Sequence, residues 1–581
     1  MRTRWQLLLT GSLALAMGCG GEPGDPPPQD PGCLTDDDSG CGGGPSVECL
    51  GERPATGGDP AMGFVVDAAA PAVMNIHPCS GAVGVDASSR IRVAFSKDVD
   101  VASLTTSTFV VSKGGQRVVG ALTLQGTIAT FQPMEKFTLG QSYEVLVTTG
   151  VRGVDGKPLV SEYSWTFTVR EGLWAAPIRL EADDRGSAYD AQMVADGQGN
   201  VLAAWLQFDG THTNLYARRY NVTTGWEAGN RVVSEERGSA SRFALAMNAR
   251  GEAIALWTQW YQSLSRLWTS FSSSTTPWTA PSVVEPQASQ VLSPAVAIDR
   301  NGNGMAIWLH GSEPAHLWGG QYLNTVGWVD MRTLSSLDMG GSEEPQVATD
   351  GFGNVTVVWL QRDGAQKALW MRRFAPDIGW GEVHRLKPAE SLDAVSPRLA
   401  VDANGGAMVV WQSRQTPQRV YSVRYVPGVG WEAVRQVAQL DVGQISALAI
   451  AGEPGGRVTA VWSQGDETRG SIWAARYEVA GGWGAAARLS PTDVERSQEP
   501  AVAMDGNGNA VAAWFQIHGT TTQLWAARSA SGGGGWGTLT RVDSSGNAIT
   551  PKVVMDSSGR ATIIWSQYAG NHFDLWTSRF E

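Results

Sequence analysis

The feature that most restricts what this chain can fold into is a repeat. Trp174, Trp226, Trp278, Trp328, Trp380, Trp431, Trp483 and Trp536 open eight units spaced 50 to 53 residues apart, and the eighth runs to the last residue. Each unit holds a polar connection, an apolar run such as PAVAID or PQVATD, an acidic turn, a second apolar run ending in Trp, and a third such as LWAARY. Short runs of this kind bounded by Gly, Asp or Asn read as strands. Four strands per unit, with aromatics at fixed offsets, are the pattern of a β-propeller blade, because one such unit cannot cover its own faces and must stack on its neighbours. The chain enters with one strand (WAAPIRL) and leaves after three (ITPKVVMD, RATIIWSQ, DLWTSRF). Pairing the first strand with the last three completes eight four-stranded blades over residues 171–581 and leaves no open edge. Seven blades would leave a unit over.

Composition supports an all-β chain. The 70 glycines in 581 residues lie well above the roughly 7% average, and only 17% of residues are charged, which suits turn-rich sheets better than helical bundles. A net charge of −12 leaves no electrostatic footprint for nucleic acid or for an anionic membrane surface.

The repeated residues divide by chemistry. Counting from Asp196, a glycine stands three residues on and a tryptophan nine on; Asp299, Asp350, Asp402, Asp505 and Asp556 share these offsets, with Asn248 and Glu453 in the other two units. Asp followed by Gly is what a tight turn with a bulge requires, since the carboxylate caps the turn and Gly accepts positive φ. A calcium loop needs oxygen ligands at alternating positions, and one carboxylate per turn does not supply them. The aspartate turn of sialidase-type propellers has its glycine two residues after Asp and its aromatic five after, so this motif differs. Two residues past the second-strand Trp stand Gln207, Gln259, His310, Gln361, Gln464, Gln516 and Gln567. Trp and Gln share a strand face. The row can serve as an inter-blade hydrogen bond or, because it ends near connections that differ from unit to unit, as the candidate ligand-binding set. Arg219, Arg373, Arg424, Arg476, Arg528 and Arg579 recur in the third strand and read as inter-blade hydrogen bonds or ion pairs.

Ahead of the repeats the chain has three other segments. Residues 1–18 (MRTRWQLLLTGSLALAMG) give a basic start, an apolar run and small residues, which is an export signal too short to span a bilayer. Ala16-Met17-Gly18-Cys19 resembles the lipobox of bacterial lipoproteins, which implies lipidation at Cys19 and a lipid-anchored place in the bacterial cell envelope, at the outer membrane or cell surface. Residues 19–70 are rich in Gly, Pro and Asp and read as a tether that cannot fold alone. Cys33, Cys41, Cys49 and Cys79 suggest two disulfides in an exported protein, with three connectivities open. Residues 71–170 alternate in short runs, which argues a β-sandwich. HPCSGAVGV, RIRVAFSKDVD, TFQP, LGQSYEVLVTTGVRGVDGKPL and YSWTFTV resemble, in that order, the bacterial Ig-like domain of the S-layer (SbsA-like) family, which implies a spacer or presenting module.

No catalytic constellation emerges. The seven histidines are scattered, HExxH and GxSxG are absent from the sequence, and the acidic residues of the variable connections, Asp183, Asp184, Asp209, Glu313, Asp363 and Asp466, lack evident partners. No metal or cofactor is implied. The expected function is a surface-displayed binding or adhesion protein whose propeller is a multivalent platform for a glycan. A polysaccharide-acting hydrolase or lyase, and a scaffold for an envelope protein, are the alternatives.

Overall fold

A computed structural model of the chain describes residues 70–581 other than 182–185, 233–237, 262–263, 286–289, 312–313, 365, 387–392, 441–442, 466–468, 492–495 and 532–534. The expected signal segment, Cys19, Cys33, Cys41, Cys49 and nearly all of the tether lie outside the described residues. Cys79 lies within them and is not a free thiol. The described chain is all-β; the 3-10 turn Val101–Ser103 is its one helical piece.

The first domain consists of two sheets around one core. One sheet orders Val73–His77, Ile91–Phe95, Ile128–Pro133 and Gly120–Gln125; the other orders Ala82–Val85, Tyr163–Val169, Ser142–Val147, Phe109–Lys113 and Gln116–Arg117. Alternation in IRVAF and SYEVLV turns Ile91, Val93, Phe95, Tyr143, Val145 and Val147 inward, as two facing sheets require. Phe137, Tyr143 and Phe167 meet there with ring centroids 4.6–5.5 Å apart.

Beyond it the described strands fall into eight antiparallel groups, numbered sheets 1 to 8, of which 6 and 7 are joined as one nine-stranded sheet. In sheet 1, Ala188–Ala195, Val201–Phe208 and Thr213–Asn221 pair in sequence order, with the short outer strands Gly225–Trp226 and Asn230–Arg231 on the third. The pattern recurs through sheet 8, which joins Ala548–Met555, Ala561–Tyr568 and Phe573–Phe580 to Ile178–Arg179 from the start of the repeats. Leu180 N–H donates to Leu575 O at 2.7 Å and Ala175 N–H to Arg579 O at 2.7 Å, so the two ends of the repeat region share one sheet. Sheets 6 and 7 are also linked by one parallel pair, Gly470 with Arg496.

The first strands follow one another in a cycle. Ala188–Ala195, Ala240–Met247, Val291–Ile298, Ser342–Thr349, Ala394–Val401, Gln444–Gly452, Arg496–Met504 and Ala548–Met555 each lie against the next, and the last lies against the first. The second strands are covered on both faces by neighbouring sheets: every residue from Val201 to Gln207 is buried. That is why VLAAWLQ reads as a continuous apolar run without alternation. Each second-strand Trp packs on the preceding sheet. Trp257 meets Leu202, Ala204 and Leu206 of sheet 1, and Trp205 meets Ile564 and Leu575 of sheet 8, which closes the cycle. Burying one such indole removes roughly 150–250 Å² from water, worth about 4–6 kcal/mol at ~25 cal/mol per Å².

The Ig-like domain rests on the turns of sheets 7 and 8. Lys113 Nζ donates to Asn507 Oδ1 at 2.9 Å, Leu139 N–H to Ser558 O at 3.2 Å, and Arg528, ion-paired with Glu171, to Leu139 O at 3.2 Å. The variable connections stand at the other end of the strands.

Candidate functional site

The Asp turns are joints between sheets. Asp196 Oδ1 accepts the N–H groups of Gln198 and Asn200 at 2.9 Å each, and Oδ2 accepts Asn200 Nδ2 at 2.7 Å. Both oxygens are thus engaged within the turn. Gly199 has φ +88°, and a Cβ there would stand 2.5 Å from Asp556 Oδ2 of sheet 8. The glycine is needed for its left-handed backbone and for the close approach of the neighbouring turn. Among the described residues no group of three or more His, Cys, Asp or Glu side chains is placed to hold a metal ion.

The Gln row is buried. Trp205 Nε1 donates to Gln207 Oε1 at 3.1 Å and Gln207 Nε2 donates to Gly186 O at 3.3 Å. Gln259, Gln361, Gln464 and Gln567 likewise accept their own Trp, at 2.9–3.2 Å. Gln259, Gln361 and Gln464 donate to carbonyls of the connection ahead of their sheet, and Gln567 donates to Ser545 Oγ. In sheet 3, Glu285 takes the indole of Trp308 at 3.1 Å and His310 Nδ1 at 2.9 Å. Gln516, only 1% exposed, keeps a contact to His518 at 3.3 Å. Of the two roles expected for the row, these bonds are those of the hydrogen-bonded one. Trp and Gln do share a face, but the preceding sheet covers it, and the amide satisfies an indole N–H and a loop carbonyl that burial would otherwise leave unpaired.

The arginine row clamps sheets together. Arg219 donates to Gly251 O at 3.3 Å and Ser272 Oγ at 3.0 Å in sheet 2, and Arg373 to Gly405 O at 3.1 Å in sheet 5. The guanidinium of Arg579 lies 3.9 Å from the Tyr220 ring centroid, across the sheet 8 to sheet 1 junction. Sheet 3 has Gln321 at this position, and a cleft of about 280 Å³ opens there against sheet 4, lined by Met305, Gln321, Val355, Phe374 and Pro376.

At the loop end, three residues past the second-strand Trp, the neighbouring sheets 8, 1 and 2 expose Tyr568 (46%), Phe208 (41%) and Trp260 (45%). The other five sheets have Gly311, Arg362, Arg414, Gly465 and Ile517 there. Tyr189, on the first strand of sheet 1, is also exposed. Reading the sequence by its recurring residues passes over these aromatics because they do not recur. Their signal is an unlike residue at a fixed offset, present in three adjacent units.

Polar groups fix the strand ends behind the rim. Glu181 accepts Arg179 Nε at 2.9 Å and Leu575 N–H at 2.7 Å, and Asp574 pairs with His572 Nε2 at 2.9 Å. Burial pushes the Glu181 carboxyl up to about 7, with the Asp574 charge adding to the shift and the bound N–H groups opposing it. Both oxygens of Glu181 are engaged by the protein, so the pair fixes strand ends. In sheet 1, Asp209 accepts Asn214 Nδ2 at 2.7 Å and stands 3.6 Å from Arg231. The N–H groups of His212 and Thr211 and the Thr211 hydroxyl hold its carboxyl well below the usual range. Asp363 pairs with Arg385 at 3.0 Å. Asp183, Asp184, Glu313 and Asp466 lie outside the described residues.

Residues 67–169 match the family model of the bacterial Ig-like domain. No curated protein matches the chain. Solved structures similar to it include the BP39L lectin from Burkholderia pseudomallei (12% identity, 61% of this chain and 99% of that one, TM-score 0.41). The NanB sialidase from Streptococcus pneumoniae is similar over 86% of this chain and 95% of its own, at 10% identity and a TM-score of 0.34. A protein of unknown function from Dyadobacter fermentans matches at 14% identity over 50% of this chain and 95% of its own, with a TM-score of 0.33.

Proposed function

We propose that the cycle of sheets is an eight-bladed propeller that binds glycans on its loop end, carried by an exported protein anchored through a lipid at Cys19 and stapled by disulfides in its tether. The observation that carries this reading is the aromatic rim. Phe208, Trp260 and Tyr568 lie at equivalent places in adjacent sheets, exposed where apolar rings are otherwise unfavourable. Flat apolar faces suit the C–H faces of sugars, and several rings in a row suit a chain of them. The Ig-like domain meets the opposite end of the sheets, so it leaves the rim open to a ligand outside the envelope. Each ring is a weak site alone, and their spacing within one rigid framework supports joint engagement.

The test is a glycan array probed with the full-length protein and with a Phe208→Ala, Trp260→Ala, Tyr568→Ala triple variant. Saturable binding to a saccharide class, lost in the triple variant at an unchanged unfolding midpoint, supports the reading. Glycan binding equal in the two proteins overturns the assignment of the rim. Binding to no glycan overturns the function and leaves an envelope protein as the partner class. Release of reducing ends from any bound polysaccharide makes the protein an enzyme.

A further inference from the structure

The first strands carry chemistry that neither the rim nor the joints use. In six of the eight, a β-bulge holds a non-glycine residue at positive φ: Asp190 (53°), Ser293 (48°), Glu344 (47°), Ser396 (52°), Glu499 (49°) and Thr550 (50°). Left-handed backbone at such residues costs of order 1–3 kcal/mol each. The charged members, Asp190, Glu344 and Glu499, are exposed, as is Arg242 at the equivalent place in sheet 2. Two residues further along come Gln192, Gln346, Arg398 and Lys552, with Ala244, Ala295, Ala449 and Ala501 completing that level. Because the first strands form a closed cycle, these two levels line its central opening.

The deeper level has two cations among two glutamines and four alanines. Gln192 Nε2 donates to Phe243 O at 2.7 Å on the next first strand, and Arg398 Nε makes the equivalent bond to Leu448 O at 3.1 Å. Arg398 Nη1 donates to Pro397 O at 2.9 Å. Lys552 is open to solvent and has no hydrogen-bond or ion-pair partner among the described residues. Burial among protein atoms nonetheless pulls its ammonium below the usual lysine range; Glu499 and Asp190 oppose the shift, and the charge of Arg398, three sheets away, adds to it. Lys552 stands on the first strand of sheet 8, next to the first strand of sheet 7, which has Ala501 at the same level. Ala295, Ala449 and Ala501 are only partly buried, whereas Ala244 packs into the core between sheets 2 and 3.

We propose that this opening binds the carboxylate of an acidic sugar residue, with Lys552 and Arg398 as anchors and the carboxylates of Asp190, Glu344 and Glu499 accepting its hydroxyls. The lining balances three carboxylates against Arg242, Arg398 and Lys552. That balance disfavours polyanions such as nucleic acid, while two cations at one level of the cycle, with no carboxylate at that level, favour a single negative group. The sugar half of the proposal rests on the glycan reading above; the anion half stands on the opening alone.

The test is calorimetric titration of the full-length protein at low salt with trigalacturonate, its methyl ester and neutral galactotriose. Two variants act on the opening by different routes: Lys552→Met removes a charge that holds no partner, and Ala501→Phe fills the space. The expected result is one trigalacturonate per chain, bound at least ten times more weakly by either variant and by the ester, with wild-type affinity in the rim triple variant. Trigalacturonate affinity unchanged in both variants overturns the proposal. Absence of trigalacturonate binding, in a protein that binds neutral glycans on the array, overturns it while leaving the rim intact. Binding lost in both variants, in a protein whose rim triple variant behaves as wild type throughout, establishes the opening even where the rim reading falls.

Discussion

Gln361→Leu removes an amide that makes three hydrogen bonds. Trp359 Nε1 donates to its oxygen at 3.2 Å, and its nitrogen donates to Ser336 O at 2.7 Å and to Gly340 O at 2.9 Å. The residue is 1% exposed, so water does not replace the amide. One indole N–H and two carbonyls are left, and an unmet buried polar group costs about 1–3 kcal/mol. The carbonyls belong to a connection that can turn toward solvent, and leucine regains some apolar contact, so the expected loss is about 3–4 kcal/mol. Gln516→Leu is the control. There Trp514 Nε1 and Gln516 Nε2 have no partner among the described residues, and the same substitution should cost about 1 kcal/mol. Urea unfolding of both variants measures the difference, with an unchanged m-value confirming that stability alone has moved. Equal losses at the two positions, or a loss below about 1 kcal/mol at Gln361, would refute the reasoning.

Other substitutions test the remaining joints. Gln321→Arg should fill the cleft between sheets 3 and 4, donate to Gly353 O as Arg373 does to Gly405 O, and raise stability by about 1 kcal/mol; a lower urea midpoint would contradict the clamp. Gly353→Ala forces a side chain into φ +88° with its Cβ 3.0 Å from Asp299 Oδ2, and should lower stability by about 1–3 kcal/mol. A neutral result would mean that neither the left-handed backbone nor the neighbouring turn matters. Glu181 titrates near 7 in the folded chain against an ordinary 4.5, so the fold holds its proton more tightly than the unfolded state does. Its contribution is complete below pH ~4.5 and is lost as the pH rises to ~7, by about 3 kcal/mol. Glu181→Gln should flatten this part of the urea-midpoint profile between pH 5 and 7.5, and a profile parallel to that of the unaltered protein would place the titration elsewhere.

The sheets were legible because the physics that makes them repeats in every unit. Trp at a fixed offset, Asp and Gly across a turn, and an apolar second strand each answer a local demand of stacked sheets. The strand WAAPIRL was placeable because an unpaired edge is costly, and Ile178 and Arg179 do pair with Thr577 and Trp576. The role of Gln207 was not legible in the same way. Period-two reasoning puts it beside Trp205, but when both faces of a strand are buried, alternation does not tell which polar residue meets water. The indole N–H is the clue that reading by period leaves out: Trp205 Nε1 is buried and donates to Gln207 Oε1 at 3.1 Å. The rim was hidden for the opposite reason: Phe208, Trp260 and Tyr568 are departures from the repeat, and comparing like positions suppresses departures. Lys552 and Arg398 stand 154 positions apart and share a level only because the first strands close a cycle.

The most direct measurement is the affinity of the array-selected glycan for Trp260→Phe and Trp260→Leu, titrated beside the unaltered protein at equal stability. Leucine keeps apolar area but has no ring face, whereas phenylalanine keeps a ring. Stacking on the rim predicts affinity within about threefold for Phe and at least tenfold weaker for Leu, a loss of about 1.4 kcal/mol or more. A leucine variant that binds as tightly as the unaltered protein would contradict the account.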